Sequence, residues 1–575
     1  MPKLTTPYIE KMDNACPHAY HPTPQFERPL FYSLNGEWDF CLNCNESVEA
    51  YDKKITVPFC PESEASGLGI AVMPEHYMHY RKSFTVPKDF IGKRVFLHFG
   101  AVDQTCEVYL NARLIGAHEG GYIPFSFDIT DLLKDGENEI KLTARDTLDH
   151  KYPYGKQKYK RGGMWYTPVS GIWQTVWLEG RPEVHVEDIK ITPYEKGVKI
   201  AVTGGDDHKK ITLTESGEVF EFDGGFVSIA PKEVKLWTPE NPYLYEFTLE
   251  CGEDSIKSYF AIRWVDVREV NGVQRIRLNG KPYLFNGMLD QGYYPDGIFI
   301  PATVEGYLDD IKMTKALGFN MLRKHIKIEP MIFYYLCDKH GVAVFQDVVN
   351  NGKYSFFKDT VIPTVNTVLL QTLNDKYFNR SKDAREFAVR NMYETAEHLY
   401  NTPSVVYYTI FNEGWGQFNA DEMYTKLKSF DSTRVLDSTS GWFRRHETDV
   451  DSRHIYFRPL KPKKLDGRPL VISEFGGYAH SVKGHTFGDD VYGYRVFDKQ
   501  EDFESALLKL YDTEVRALVE GGASAFVYTQ VSDVEDEING FITYDRQVMK
   551  VDADKLKKLN EELKKIRELS IFVYI

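Results

Sequence analysis

The spacing of apolar and polar residues changes twice along this chain. From residue 1 to 180, short runs of alternating apolar and polar residues are separated by turn residues, and helical periodicity is almost absent. Alternation with a period of two predicts half-buried strands, so this part is predicted to be an all-β sandwich of the jelly-roll kind. Residues 181–268 continue as strands at a new spacing, and their length is typical of an immunoglobulin-like β-sandwich.

The third part, residues 269–575, has strand-like runs that alternate with amphipathic helical stretches. This alternation is typical of βα units and a parallel sheet. Eight such units in about 300 residues are the size of a (β/α)8 TIM barrel. The predicted fold is therefore multidomain: an all-β jelly roll, an immunoglobulin-like β-sandwich and a (β/α)8 barrel. Residues 351–382 form a weakly patterned insertion after the third barrel strand, predicted to lie over the active-site face.

Polar and aromatic residues recur where the predicted barrel strands end. In (β/α)8 barrels the active site lies at the carboxyl ends of the strands, so these residues are candidates for it. Two of them are glutamates: Glu413 closes the fourth predicted strand and Glu474 the seventh. The other strand-end candidates are Asp290, Gln291, Arg323, His325, Asp347, Asn350, Asn412, Trp415, Ser440, Trp442, Tyr456 and Gln530.

Two glutamates that face each other across a barrel mouth suit the hydrolysis of a glycosidic bond. One carboxyl group must be protonated to donate to the leaving oxygen, and the other must be ionised to attack the sugar or activate water. A retaining enzyme needs a separation of roughly 5–5.5 Å between them and an inverting one roughly 6.5–9.5 Å. A single strand-end glutamate is more often a solvated residue, but the pair Glu413 and Glu474 favours catalysis.

Composition and charge exclude several other classes of protein. The net charge of −14 argues against nucleic acid as a partner, because such binding needs a basic surface. No run of about 18 apolar residues is present, so no membrane partner is expected. The seven cysteines are scattered and lack CxxC spacing, which indicates reduced thiols. The first twelve residues have no apolar core of a signal peptide, and a cytoplasmic protein is predicted.

Several motifs in the same order resemble glycoside hydrolase family 2, which includes β-galactosidases, β-glucuronidases and β-mannosidases. In the predicted jelly roll they are Leu-Asn-Gly-Glu-Trp-Asp-Phe at 34–40, Gly-Gly-Tyr-Ile-Pro-Phe at 120–125 and Ser-Gly-Ile-Trp at 170–173. Leu-Trp-Thr-Pro at 236–239 resembles the end of the family's sandwich domain. In the barrel, residues 289–297 resemble a β-galactosidase-like subgroup. The resemblance covers nearly the whole chain.

The resemblance implies roles for the strand-end residues. Glu413 would be the general acid/base, and Asn412 before it would hold the sugar 2-hydroxyl group. Glu474 would be the nucleophile of a retaining double displacement. Arg323 would orient the nucleophile carboxylate, and Tyr456 would contact it. Substrate contact is further assigned to His325, Asp290, Trp442 and Trp415. For Trp165, in the jelly roll, core packing is favoured over contact with the site.

The implied activity is that of a retaining exo-glycosidase that removes a terminal β-linked sugar, with β-galactoside favoured. An α-L-arabinopyranoside, a β-mannoside or a β-glucuronide are alternatives. The Asn-x-Lys element with which glucuronidases recognise the sugar carboxylate has no match after Glu474, which disfavours the glucuronide. The ligands of the family's active-site magnesium have no clear match, so no cofactor and no required metal are expected. A non-catalytic carbohydrate-binding protein is the alternative class, and a homo-oligomer is possible because the family's sandwich domains often form dimer surfaces.

Overall fold

The computed structural model describes residues 4–357, 359, 375, 379–443, 445–461 and 467–572. In chain order these residues form two β-sandwiches, a small antiparallel sheet and an eight-stranded parallel barrel. The predicted multidomain fold is confirmed, while the boundaries assigned between its parts stay predictions. Most of the predicted insertion 351–382 lies outside the described residues. None of the described helices is long and apolar enough to cross a membrane.

The first sandwich is built from antiparallel strands with apolar residues at alternating positions. Its core contains Trp38, Phe40, Leu97 and Val108, all essentially buried. One sheet contains, in spatial order, Phe31–Ser33, Val176–Arg181, Arg94–Phe99 and Phe125–Asp128. The other contains Lys53–Val57, Gly36–Asn43, Tyr77–Thr85, Glu137–Arg145, Thr105–Leu110 and Arg113–Glu119, and the short strands Val102–Asp103 and Gly171–Ile172 pair beside them.

The second sandwich is smaller and also antiparallel. Its core is rich in β-branched residues such as Ile189, Ile200 and Ile211, which fit a pleated surface. One sheet contains Val186–Tyr194, Gly197–Gly204 and Phe226–Ile229, and the other contains Val219–Asp223, His208–Leu213, Tyr245–Cys251 and Asp254–Phe260.

A buried arginine joins the two sandwiches. The guanidinium of Arg28 donates two hydrogen bonds to Asp254 in the second sandwich, at 2.9 and 2.8 Å. It also donates to Glu179 of the first sandwich at 2.8 Å. Burial would raise the pKa of the Asp254 carboxyl, but the hydrogen bonds and charge of Arg28 lower it below its usual value. This ion pair therefore fixes the two sandwiches against each other.

Eight parallel strands form the barrel. In chain order they are β1 (Phe285–Asp290), β2 (Met321–Lys324), β3 (Ala343–Asp347), β4 (Val405–Asn412), β5 (Val435–Ser440), β6 (Asp451–Ile455), β7 (Leu470–Gly476) and β8 (Ala525–Thr529). Their spatial order is β5-β4-β3-β2-β1-β8-β7-β6. The ends of this order, β5 and β6, meet through side chains, because Ser452 Oγ donates to the Thr439 carbonyl oxygen at 3.3 Å.

The amino-terminal end of the barrel is closed by a small sheet of three strands. Its residues Val265 and Ile276 join the apolar cluster of the barrel strands, which includes Phe285 and Phe345. The strands of this sheet are Val265–Val270, Val273–Leu278 and Lys281–Pro282. Since this end is filled by apolar side chains, the carboxyl end is left for the polar residues.

Helices surround most of the barrel but not all of it. In the described part of the chain, no helix follows β5 or β6, although eight complete βα units were predicted. The connection from β5 to β6 is only the segment 441–450, and that from β6 to β7 contains Pro459, Pro462 and Pro469, which oppose a helix. The helices are α1 (Glu305–Ala316), α2 (Met331–His340), α3 (Lys382–His398), α4 (Ala420–Phe430), α5 (Gln500–Lys509), α6 (Arg516–Glu520) and α7 (Ala553–Phe572).

The Arg28 ion pair leads to a stability prediction. At pH 7, Arg28→Met leaves the buried Asp254 carboxylate without its cation, and we expect the free energy of unfolding to fall by about 3–5 kcal/mol. The loss shrinks as the pH falls below about 4, because a carboxyl group whose pKa is lowered by folding stabilises the fold only above its unfolded-state pKa. Guanidinium unfolding followed by tryptophan fluorescence at pH 7 and pH 3 measures both effects.

The matched control is Arg268→Met, since the Arg268 side chain is 70% exposed and lies 3.9 Å from Asp266. This control should shift the midpoint little. Equal midpoints for the two variants at pH 7 would show that Arg28 does not join the sandwiches.

Candidate active site

The fourth strand ends in a tight turn that carries Glu413. The backbone of Glu413 has φ +53°, a left-handed conformation that non-glycine residues rarely adopt and that clusters at functional sites. Gly414 follows at φ +79°, and a Cβ there would lie 2.2 Å from the Phe443 ring, so only glycine fits. The amide of Glu413 donates to the Ser440 carbonyl oxygen of β5 at 2.9 Å. The turn thus holds a glutamate whose side chain is still 25% exposed.

Glu474 lies within β7 and is held at both carboxylate oxygens. Arg323 Nη1 donates to Oε1 at 3.1 Å, and the Tyr456 hydroxyl donates to Oε2 at 2.6 Å. The side chain is only 6% exposed. Burial would raise the pKa of this carboxyl, but the charges of His454 and Arg323 hold it at about 2. Glu474 is therefore ionised at neutral pH.

Arg323 connects four barrel strands at the mouth. From β2 its guanidinium donates to both oxygens of Asp347 on β3, at 2.9 and 3.0 Å. Nη2 also donates to Asn412 Oδ1 on β4 at 2.8 Å, and Nη1 donates to the carbonyl oxygen of Ser473 on β7 at 2.9 Å. Together with the contact to Glu474, these bonds use the planar fork that distinguishes arginine from lysine.

His325 offers a buried acceptor beside this network. Burial lowers its pKa to about 4, so the ring is neutral at pH 7. Its Nδ1 lies 2.7 Å from Asp347 Oδ2. Burial opposes ionisation of Asp347, but Arg323 and His325 hold its pKa at about 2, so this carboxylate only accepts. Nδ1 of His325 therefore carries the proton, and its Nε2, which has no partner in the described part of the chain, can accept from a hydroxyl group.

His454, which is not among the predicted strand-end candidates, lies between the two glutamates. Its Nδ1 is 2.7 Å from Glu413 Oε1 and 3.5 Å from Glu474 Oε2. A signal was present in the sequence: His454 and Tyr456 are two residues apart, so they share one face of an extended strand. Since Tyr456 was selected, the period of two would have selected His454 as well.

The hydrogen bonds around His454 imply a stored proton. Ser473 Oγ donates to the fixed carbonyl oxygen of Arg453 at 3.4 Å, and Ser440 Oγ donates to Ser473 Oγ at 2.9 Å. The Ser440 oxygen therefore accepts from Nε2 of His454, 3.0 Å away. With Nε2 protonated, the 2.7 Å contact between Nδ1 and Glu413 needs a second proton, on the ring or on the carboxyl group. The pair can hold the proton that a general acid delivers.

The other predicted substrate contacts differ in placement. Trp442 is half-buried, and its ring lies 5.5 Å from the His454 ring at the mouth. Asp290 is instead engaged by the protein, since it accepts from Lys324 Nζ at 2.6 Å and from the Gly292 amide at 2.9 Å.

Trp415 lies in an aromatic cluster away from open solvent. It is 4% exposed, donates from Nε1 to the Gly352 carbonyl oxygen at 3.0 Å and packs on Trp165 with 5.2 Å between ring centroids. Trp165 is 9% exposed, which agrees with the packing role favoured for it. The first sandwich thus reaches the barrel mouth through packing.

The same segment of the first sandwich also bonds to the loop after β8. The amide of Thr167 donates to Glu535 Oε1 at 2.9 Å, and the Tyr166 hydroxyl donates to Glu537. Glu537 accepts in turn from Asn539 at 2.9 Å. Residues from both domains therefore form one wall beside the candidate site.

The candidate ligands at this mouth do not suit a magnesium ion. Glu413, His454 and Glu474 form the cluster of candidate ligands found among the described residues. However, the His454 nitrogen is bonded directly to Glu413, and the facing oxygen of Glu474 accepts from Tyr456. Magnesium is usually held through carboxylate oxygens, and both carboxylates here are already engaged by protein groups.

Three stretches of the chain match protein families. Residues 51–172 match "Glycosyl hydrolase 2 galactose-binding domain-like" and residues 181–263 match "Glycosyl hydrolases family 2". Residues 269–565, more than half of the chain, match "Glycosyl hydrolases family 2, TIM barrel domain".

Curated relatives are β-galactosidases of greater length. The chain is 24% identical over 577 residues to the β-galactosidase of Pseudoalteromonas haloplanktis, with 89% of this chain and 51% of that protein covered. It is 28% identical over 316 residues to that of Thermoanaerobacter pseudethanolicus, with 48% of this chain and 41% of that protein covered. The chain thus spans about half the length of the curated relatives it matches.

Solved structures with the same fold include β-glucuronidases. That of Ruminococcus gnavus superposes with a TM-score of 0.73 at 17% identity, covering 95% of this chain and 99% of that one. That of Dictyoglomus thermophilum gives 0.72 at 19% identity, covering 94% and 98%. Because its family match spans the whole barrel and its two sandwiches match the same family, the chain belongs to glycoside hydrolase family 2.

Proposed function

We propose that this protein is a retaining exo-glycoside hydrolase that removes a terminal β-linked sugar. The observation that carries this proposal is the proximity of the two glutamates. A carboxylate oxygen of Glu413 and one of Glu474 lie within 4.8 Å of each other. This distance between single oxygens is closer to the separation of roughly 5–5.5 Å between the carboxyl groups of retaining enzymes than to the roughly 6.5–9.5 Å of inverting enzymes.

In the first step, the ionised Glu474 attacks the anomeric carbon while Glu413 protonates the leaving oxygen. Arg323 and Tyr456 aim the Glu474 carboxylate and keep it from taking up a proton. In the second step, Glu413 removes a proton from water, which attacks the anomeric carbon and releases Glu474. Before the first step Glu413 and His454 share the proton that goes to the leaving oxygen, and the proton taken from water in the second step restores it.

The sugar we propose is a β-galactoside. Support comes from the curated relatives, which are β-galactosidases, and from the absence of an Asn-x-Lys element after Glu474. The fold is shared with β-glucuronidases, so the glucuronide stays an alternative beside the α-L-arabinopyranoside and the β-mannoside. Asn412 and the free Nε2 of His325 are the groups that would hold sugar hydroxyls. The cytoplasmic location and a homo-oligomer stay predictions.

A panel of 4-nitrophenyl glycosides tests this function. Among the β-galactoside, β-glucuronide, β-mannoside and α-L-arabinopyranoside, we expect the highest kcat/KM on the β-galactoside. Proton NMR during its cleavage should show the β-anomer of the free sugar first. If the α-anomer appears first, the mechanism is inverting. A faster reaction with the glucuronide would make the proposed sugar wrong, and a protein that binds these glycosides without cleaving any of them would be a carbohydrate-binding protein.

Substitution of the two glutamates tests their roles. Glu474→Gln should lower kcat by more than about 10⁴-fold, since it removes the nucleophile. Glu413→Gln should lower it less with a dinitrophenyl glycoside, whose leaving group needs no proton, and azide should restore the rate by forming a β-glycosyl azide. The matched control is Glu447→Gln, an exposed glutamate in the β5–β6 connection, which should keep full activity. More than a few per cent of activity in Glu474→Gln would contradict the assignment.

The proton held by His454 leads to a separate prediction. His454→Ala should lower kcat/KM by about 10²-fold for glycosides with poor leaving groups, the low end of what general acid catalysis contributes. The loss should be much smaller for dinitrophenyl glycosides, because these leave without protonation. Steady-state rates across phenyl glycosides of graded leaving-group acidity measure this difference. The exposed His208→Ala in the second sandwich serves as control. An equal loss for all leaving groups would mean that His454 only supports the fold.

A further inference from the structure

Exposed phenylalanine rings are concentrated at the carboxyl face of the barrel. In the described part of the chain, the three phenylalanines with more than 60% of their surface exposed are Phe356, Phe357 and Phe457, at 66, 67 and 74%. All three follow barrel strands, two after β3 and one after β6. Exposed large apolar rings grouped at one face indicate a surface that binds something.

Phe457 is connected to the candidate nucleophile through a stack of rings. Its ring meets the edge of Tyr494 with 5.3 Å between centroids. Tyr494 is stacked flat on Tyr456 at 3.7 Å and 6° between planes. Tyr456 donates its hydroxyl hydrogen bond to Glu474. The exposed ring of Phe457 is therefore the outer end of a row of three aromatic rings, and the inner ring, Tyr456, bonds to Glu474.

Trp442 occupies a corresponding place beside the candidate acid/base. It follows β5, while Glu413 follows β4 and Phe457 follows β6. Its half-buried ring packs edge-on against the His454 ring. His454 is bonded to Glu413 at 2.7 Å. Trp442 thus lies one ring contact from His454, and Phe457 lies two ring contacts from Tyr456, which holds the candidate nucleophile.

We propose that Trp442 and Phe457 form the subsite for the leaving group, and that this subsite takes a planar aromatic aglycone. The proposal rests on the proposed function and deepens it. The leaving oxygen must lie within hydrogen-bond reach of the proton donor, so the leaving group extends from the solvent side of Glu413. That side is open, because Glu413 is 25% exposed while Glu474 is 6% exposed.

The chemistry of Phe457 favours an aromatic group over a second sugar. Phe457 has no hydrogen-bonding atom, and its exposed ring gains most by covering another apolar plane. Stacked or edge-to-face aromatic pairs stabilise beyond the area they bury. A sugar could stack the C–H face of its ring on Phe457, but its hydroxyl groups would find no donor or acceptor on that side chain.

The test compares glycosides that share one sugar and differ in the aglycone. The sugar is the one that the nitrophenyl panel identifies, and the quantity measured is kcat/KM for the 2-naphthyl glycoside divided by kcat/KM for the methyl glycoside. We expect Phe457→Ala to lower this ratio by about tenfold, which is the equivalent of one aromatic contact. Phe457→Tyr, which keeps the ring, should retain the wild-type ratio. Each glycoside has the same leaving group in the wild-type and in the variant reaction. The different chemical reactivity of the two leaving groups therefore cancels when the variant's ratio is divided by that of the wild type.

The matched control is Phe226→Ala, because Phe226 is 59% exposed but belongs to the second sandwich, and its ratio should be unchanged. An unchanged ratio in Phe457→Ala overturns the subsite. An equal loss on the disaccharide of the same sugar shows a sugar subsite and overturns the aromatic preference.

Binding separates a failure of this subsite from a failure of the proposed function. If the wild-type protein cleaves no glycoside, the function fails, and calorimetric titration with naphthyl and methyl thioglycosides of the four sugars decides the subsite. At least one naphthyl compound should bind about tenfold more tightly than its methyl counterpart, and Phe457→Ala should remove this preference. No preference for any of the four contradicts the proposal.

Discussion

One buried guanidinium organises the mouth of this barrel. Arg323 has 1% of its side chain exposed, and a cation removed from water in this way is tolerated only where its hydrogen-bonding groups meet fixed acceptors. Asp347 supplies the compensating charge, while Asn412 and Glu474 accept the remaining bonds. Because these acceptors belong to three other strands, the position of each strand end is constrained by the same side chain. The geometry of the site is thus a consequence of neutralising one charge.

The two glutamates differ because their surroundings differ. Glu474 is buried, accepts from Arg323 and Tyr456, and is held as an anion. Glu413 lies on a left-handed turn, is partly open to solvent and contacts His454 at 2.7 Å. Two carboxyl groups with separate environments can take the separate roles of nucleophile and acid, as general principles of acid–base catalysis require.

Periodicity along the chain was enough to predict much of this arrangement. A period of two followed by alternating strands and helices predicted the sandwiches and the barrel, and the rule that strand ends carry the site brought together Glu413, Glu474 and Arg323. This rule about strand ends does not predict which groups each side chain contacts. Asp290 ends a strand like the others, yet Lys324 engages it, and that contact follows from the register in which β1 pairs with β2.

His454 was missed for a different reason. It lies one residue before the end of β6 and so is not itself a strand-end residue. It belongs to the site because its side chain is on the same inward face of the strand as that of Tyr456. The helices predicted after β5 and β6 are not found in the described part of the chain, because the first connection is too short and the second contains several prolines. Both facts could be seen in the sequence. Local rules therefore predicted which strands exist and which residues end them, while contacts between strands needed the three-dimensional structure.

The first sandwich completes one wall of the site rather than being an attachment to the barrel. The loop after β8 buries Glu535 and Glu537, at 3 and 2% exposure, and buried carboxylates are costly without donors. Two of these donors, the Thr167 amide and the Tyr166 hydroxyl, come from the sandwich. A barrel without the sandwich would leave both carboxylates short of partners, and the loop would have to move toward water. Because Glu537 is linked through Asn539 to Gln530 at the end of β8, that movement would reach the strand ends themselves. The sandwich is therefore needed to keep the mouth of the barrel in the shape that the two glutamates require.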